Sequence, residues 1–475
     1  MTRNRSPPRR FIVQFIGWFL VIALFADTVT AANGLTLSQE PRETLTVPRW
    51  LYLATGGATI GASALLASFV TDRAFVRHLH TWSWPVVQSA RWHQPLIWLG
   101  RGLGVAILGL SIYLGTVGPQ LPTANFAILI AFAGVQGGLP MLTYLLGNGW
   151  PVLNPWRTLA RAVPSGFRDY PASLHRWPAV AGLLALVWTE VVFPVSTVPS
   201  VLANVILLYS VLTLTGAVVF GPRSWFANAD PLSVLFRFYG SMSPIQRESN
   251  ALVVKLPGSD LRESSAVAHT SDVAFVVALV WELTYSGFIT TEAGAGVIEG
   301  VVTALPAGIA GETVRALLAY TLLFIGGYLV FLAGYQLASH LSRRVAGTYI
   351  TPDSLAIQFA PPLIAIAAGY HLAHYVGLTV SLSPAMLSAL TSPLSPPANP
   401  LVLSPPAWFD ALSIGFVLLG HLVSIWIAHA VAFRLFPSRT VAIRSQVPFV
   451  GVMIGYTVLS LWILALPGAV PPYLG

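Results

Sequence analysis

Residues 354–379 read SLAIQFAPPLIAIAAGYHLAHYVGLT, a stretch without a single Asp, Glu, Lys or Arg. Wound as a helix at about 1.5 Å per residue, it is long enough to cross the roughly 30 Å hydrocarbon core of a bilayer. Comparable apolar runs lie near 50–70, 96–117, 123–146, 177–198, 201–220, 273–291, 315–338, 408–432 and 446–466. Only 9% of the 475 residues are charged and 55% are hydrophobic, whereas about a quarter of a soluble domain is charged. The fold class is therefore all-α: a polytopic transmembrane helix bundle of about 10 spans, with the lipid bilayer as its surroundings.

The net charge of +8 does not point to nucleic acid. The cations are spread through short loops between spans, as the bias of Lys and Arg toward the cytoplasmic side predicts. Loops 71–95, 147–176 and 221–271 are rich in arginine, as are the short stretches holding Arg343, Arg344, Arg434, Arg439 and Arg444. Of the alternate loops, 379–407 carries no charge and 292–314 carries Glu292, Glu299 and Glu312. This alternation predicts a multi-pass protein of the cell membrane with its C-terminus on the outer side.

The chain opens with a basic MTRNRSPPRR, an apolar FIVQFIGWFLVIALFA and then the small residues of DTVTAAN. That order reads as a signal peptide over 1–32, and equally as an uncleaved first transmembrane helix. Residues 33–475 then form one transmembrane helical domain. Its cytoplasmic interfacial segments lie near 147–176 and 221–271, where GNGWPVLNPWRTLARAV and DPLSVLFRFYGSMSP have the mixed apolar and basic character of helices lying in the headgroup region. The polar stretch from about 248 to 271 reads as a loop. Residues 380–407 form an outer Pro/Ser-rich loop.

Titratable side chains within a span are costly and mark functional sites by default. Here they are Arg101, Glu190, Glu282, His371, His374, His421 and His429, with Asp410 at a helix end. His371 and His374 lie three residues apart, so one helical face can present both imidazoles about 4.5 Å apart along the axis. His421 falls near the middle of the next span, level with that pair if the two helices pack antiparallel. His371, His374 and His421 are thus candidate metal ligands. Glu282 is a candidate fourth ligand or general base, and Glu190 a candidate proton acceptor or orienting group. Such a set suits a transition metal ion, Zn, Fe or Cu. His429 lies eight residues beyond His421, roughly 12 Å further along the axis, and cannot share an ion with it. Arg101 is expected to pair with a glutamate or reach the headgroups.

The chain has no cysteine, which excludes disulfides, thiolate metal sites and cysteine nucleophiles. Phosphate-loop, dinucleotide and zincin motifs are missing, as is Gly-x-Ser-x-Gly. The histidine spacings do not supply the paired axial ligands of stacked haems.

Several segments together resemble the polytopic membrane protein family of fenitrothion hydrolase. They are ANGLTLSQEPRETLTVPRWLYLATGGATIGASALLASFV, GNGWPVLNPWRTLAR, WPAVAGLLALVWTEVVF, LLYSVLTLTGAVVFGPRSW, DPLSVLFRFYGSMSP, GYHLAHYVG and GHLVSIWIAHAVAF, in that order over nearly the whole chain. The Asn-Pro-Trp-Arg and His-x-x-His segments are the most specific of them. The matching positions are Asn154, Pro155, Trp156, Arg157, Glu190, His371, His374, His421 and His429. Two positions depart from the family's pattern: Asn33-Gly34 stands where a His-Gly pair is common, and Ala430 follows His429 where an acid is frequent. The resemblance implies hydrolysis of a phosphotriester by metal-activated water. Read without it, the same residues also fit a metal-ion or proton-coupled transporter, or a structural subunit whose histidines join helices.

Overall fold

A computed structural model describes residues 49–473 of the chain, apart from 71, 88–92, 249–250, 263–265, 307, 309–310 and 407. The expected signal or anchor over 1–32, with Asn33-Gly34, lies outside the described residues, as does the side chain of Asp410. In chain order the elements are α1 (Arg49–Phe69), α2 (Arg73–Thr81), β1 (Ser83–Val87), α3 (His93–Val117) and α4 (Phe126–Leu145). Next come two short helices, α5 (Trp150–Leu153) and α6 (Pro155–Ala160), then α7 (Trp177–Val192), α8 (Pro199–Phe220), α9 (Pro222–Asn228) and α10 (Pro231–Gly240). A hairpin, β2 (Ile245–Glu248) and β3 (Ala251–Lys255), leads to α11 (Thr270–Ile289), α12 (Glu292–Ala304) and α13 (Glu312–Ala346). The chain ends with α14 (Pro352–Phe359), α15 (Pro361–Thr391), α16 (Trp408–Leu435) and α17 (Arg439–Leu464).

Among the described residues, eight helical segments are long and apolar enough to cross a membrane, and residues 56–69 and 177–192 form shorter apolar helices. The chain is thus a multi-pass helical membrane protein. Helix α7 ends at Val192, before the expected 198. Phe193 precedes Pro194, which forces it into extended backbone (φ −103°, ψ 151°). Helix α15 runs on to Thr391, through Pro384, and takes the first part of the expected outer loop 380–407. Pro384 has no N–H for the carbonyl of Val380, and the Ser383 hydroxyl donates to that carbonyl at 2.7 Å. The stretch read as a loop holds β3, the central strand of a three-stranded antiparallel sheet in the order β1-β3-β2. Its sequence, ALVVK, is rich in β-branched residues, and Val253 is buried.

The arginine-rich loops meet at one end of the bundle. The sheet joins loops 71–95 and 221–271, and the Arg73 guanidinium donates to the carbonyls of Phe436 and Pro437 at 2.6 and 2.7 Å. At the other end, Thr291 bridges Gly468 and the Tyr320 hydroxyl donates to the Pro472 carbonyl at 3.0 Å.

Two features place the site. Helices α7 and α11 start side by side at the arginine-rich end, where the Arg176 amide donates to Ser271 Oγ at 3.1 Å and the Arg176 guanidinium pairs with buried Asp272. Helices α15 and α16 cross at near contact of their backbones. A Cβ on Gly369 would lie 2.6 Å from the Phe416 carbonyl, and one on Gly420 would lie 2.8 Å from that of Ala365. Glycine pairs permit this approach where packing of helices in lipid depends on close contact.

Gly369→Val is therefore expected to force these helices apart, at a cost of about 1–3 kcal/mol or more in detergent unfolding. Gly377→Ala on the same helix, where an added Cβ meets nothing within 4 Å among the described residues, is expected to leave the unfolding midpoint unchanged.

Candidate functional site

The level of each candidate residue follows from helix arithmetic. Glu190 lies thirteen residues into α7 and Glu282 twelve into α11. Since these helices start together, both carboxylates sit about 18–20 Å from the arginine-rich end. Helix α15 starts at that end too, which puts His371, His374 and Tyr375 about 15–21 Å along it. His421 lies fourteen residues from the end of α16, about 21 Å from the same side. The expectation that antiparallel packing levels His421 with the pair holds for depth.

Direction around the helix separates them. Gly369 marks the face of α15 turned to α16, and at 100° per residue His371 is rotated about 200° from it. His371 faces α4, where its Nε2 lies 2.8 Å from the Gln136 carbonyl and its Nδ1 lies 3.3 Å from the Tyr144 hydroxyl. A carbonyl only accepts, so Nε2 carries the proton, and Nδ1 accepts from the tyrosine. Tyr239 meets the ring edge-on, with centroids 5.6 Å apart. His374 faces α11: it stacks on Tyr370 with centroids 5.1 Å apart, and a Cβ on Gly287 would lie 2.9 Å from its Nε2. His421 is fully buried and donates from Nδ1 to the Val417 carbonyl at 2.8 Å, and its Nε2 has no hydrogen-bond partner among the described residues.

A metal ion needs lone pairs converging at about 2.0–2.2 Å. Both nitrogens of His371 are engaged, and His374 looks toward a different helix. Among the described residues, no three or more His, Asp or Glu side chains group so as to hold an ion. The set His371, His374 and His421, with Glu190 and Glu282, does not fit one transition metal as placed.

The structure instead joins the two glutamates. The Gln136 side-chain amide donates to Glu190 Oε2 at 2.8 Å and to the Tyr375 hydroxyl at 2.9 Å. That hydroxyl in turn donates to Glu282 Oε1 at 3.5 Å, the loosest link of the chain. The result is a polar bridge, Glu190–Gln136–Tyr375–Glu282, crossing α7, α4, α15 and α11. Tyr375 is buried, whereas Gln136, Glu190 and Glu282 are half-buried. None of the ion pairs among the described residues includes Glu282.

Gln136, Tyr375 and Tyr144 are not among the residues read from the sequence as site candidates. Gln136 lies in a π-helical segment of α4, Leu129–Gly138, and π segments recur at functional sites. A local signal exists in FAILIAFAGVQGGLP (126–140): Pro140 has no N–H to offer the carbonyl four residues earlier, that of Gln136. His371 donates to that same carbonyl.

His429 has a separate structural part. Its Nε2 donates to the Val70 carbonyl at 2.8 Å, and the Gln446 amide donates to its Nδ1 at 3.4 Å, so α16 is tied to α17 and to the end of α1. Arg101 pairs with neither glutamate. Its guanidinium lies over the Trp98 ring, 4.9 Å from the centroid.

The chain matches no protein-family model, no curated protein and no solved structure. What stands is the class: a polytopic helical membrane protein with a bridged pair of carboxylates between its helices.

His371→Ala strips the Tyr144 hydroxyl of its acceptor and the Gln136 carbonyl of its donor, and opens a cavity. The expected loss is about 2–4 kcal/mol in detergent unfolding. Elemental analysis of the same samples is expected to give an unchanged transition-metal content. A near-stoichiometric metal in the wild type that falls in this variant would mean that the imidazole turns onto an ion.

Proposed function

We propose that the protein is a proton-exchanging membrane transporter whose working group is the Glu190/Glu282 pair. The observation that carries this reading is the bridge through Gln136 and Tyr375, which holds two carboxylates together at membrane depth. Full negative charge on both, half-buried among apolar helices and without a paired Lys or Arg on Glu282, carries a desolvation and repulsion cost. A proton taken up by the pair removes that cost, and its release restores it.

The bridging groups fix the sense of the hydrogen bonds between the carboxylates. Both amide hydrogens of Gln136 are committed, one to Glu190 and one to Tyr375, so the Tyr375 hydrogen is aimed at Glu282. Gaining or losing a proton on either carboxylate changes which of these bonds can form. That changes how the four helices hold together, which is the differential interaction a two-state carrier needs. Glu190 lies two residues from the end of shortened α7, next to the Phe193–Val198 turn at the end opposite the arginine-rich loops.

The resemblance to fenitrothion hydrolase implies a metal-activated water instead. The histidines it would use face separate helices, so no hydrolytic step is assigned to them.

Proteoliposomes holding a pH-sensitive dye and given an outward potassium gradient with valinomycin test this reading. Wild-type protein is expected to admit protons well above the protein-free leak, and Glu282→Gln and Glu190→Gln are each expected to return the rate to that leak. Tyr375→Phe is expected to give an intermediate rate, because it removes the two links made by the hydroxyl and leaves both carboxylates in place. Equal fluxes in wild type and both glutamine variants would end the proposal.

A further inference from the structure

The Asn-Pro-Trp-Arg segment has no part in the carboxylate bridge, yet it is among the most tightly built pieces of the molecule. Asn154 caps α6 by accepting from the Arg157 amide at 2.8 Å, and Pro155 occupies the first helical position. The Asn154 side-chain amide donates to Ser233 Oγ at 3.1 Å, and the Trp156 indole donates to Ser210 Oγ at 2.8 Å. Short helix α6 is thus fixed against α8 and α10. The preceding helix α5 rests on α3, where a Cβ on Gly104 would lie 2.0 Å from the Leu153 carbonyl.

This framework presents arginines. Arg157 and Arg161 lie one turn apart on the α6 side. The Arg157 guanidinium lies over the Phe226 ring of α9, 5.4 Å from its centroid, which brings α6 beside the helix that carries Arg223. The Gly104–Leu153 contact brings α3, with Arg101, to the same place, and the charges of Arg101 and Arg223 act on Arg161. Burial and these like charges pull the Arg161 guanidinium below its ordinary range. Among the described residues, none of the four enters an ion pair. Asp230 acts on Arg157, but its oxygens already accept from the Tyr209 and Thr213 hydroxyls and the Ser233 amide. Arg161 and Arg223 are exposed, and the Arg101 Nε is buried without a hydrogen-bond partner among the described residues. Like charges held together without counter-charges cost free energy unless an anion joins them.

The border of the cluster indicates which anion. Trp98, Val163 and Phe167 are 65%, 46% and 70% exposed. Apolar side chains ringing cationic ones, at the arginine-rich end of the spans, match the boundary between headgroups and acyl chains. We propose that Arg101, Arg157, Arg161 and Arg223 form a binding site for a phosphate group, carried by an anionic phospholipid whose acyl chains lie along Trp98 and Phe167. Guanidinium forks suit phosphate oxygens, and basic pockets beside membrane helices bind such headgroups.

Native mass spectrometry of the full chain in detergent tests the site, with phosphatidylglycerol and phosphatidylcholine as probes and inorganic phosphate as a third. Wild-type protein is expected to retain phosphatidylglycerol roughly tenfold to thirtyfold better than phosphatidylcholine. Arg161→Gln/Arg223→Gln, both at exposed positions, is expected to abolish the preference, and Arg161→Lys/Arg223→Lys to keep most of it. Unfolding midpoints without lipid identify a variant that has lost its fold, in which case Arg161→Gln alone is read. Stabilisation by inorganic phosphate, lost in the glutamine variant and without a lipid preference, would support the phosphate site and assign it a soluble ligand. Equal retention of both lipids with no response to phosphate would overturn the proposal, as would a preference that survives Arg161→Gln/Arg223→Gln.

Discussion

The ion pair between Arg176 and buried Asp272 sets the height of the site. It locks the first turns of α7 and α11 together, and from there helical rise alone carries Glu190 and Glu282 to the same depth. Asp272 Oδ2 also accepts from the amides of Ala268 and His269, while Oδ1 is the oxygen that pairs with Arg176. Breaking one partner of a buried pair leaves an uncompensated charge and costs about 3–5 kcal/mol. A slip of one turn between the two helices would move one carboxylate by about 5.4 Å, more than a bridge of two side chains can absorb.

Helix α15 then distributes the chemistry. Its Gly369 face lies on α16, its His371 face on α4, and its His374 face on α11. Three neighbours for one helix explain why residues of the GYHLAHYVG stretch serve separate contacts. His371 takes the carbonyl that Pro140 cannot serve, and the adjacent Tyr375 reaches both Gln136 and Glu282. The histidines thereby secure the helices, while the glutamates, glutamine and tyrosine make the polar path.

Much of this was legible in the residues. The helical class came from long apolar runs, the grouping of loops from the placement of arginines, and the depth of Glu190, Glu282 and His421 from counting along the spans. Azimuth was not legible, because it depends on which helix packs on which face, and that choice rests on small contacts such as Gly369 on Gly420. A pair of histidines three apart can share a face in principle. Here the 60° between them is enough to divide them between α4 and α11. The π segment around Gln136 has no periodicity of its own in an apolar sequence, and Tyr375 reads as one more aromatic of a membrane helix. The sheet was obscured because its three strands are short and far apart in the chain.

The central claim is that Glu190 and Glu282 act as one unit through Gln136 and Tyr375. A double-mutant cycle on proton flux, at matched reconstitution, addresses it most directly. Glu190→Gln/Glu282→Gln is expected to be no slower than the slower single variant, because removing either carboxylate already disables the pair. Losses that multiply, each single variant keeping part of the flux and the double variant showing their product, would mean that the two carboxylates work independently and would contradict it.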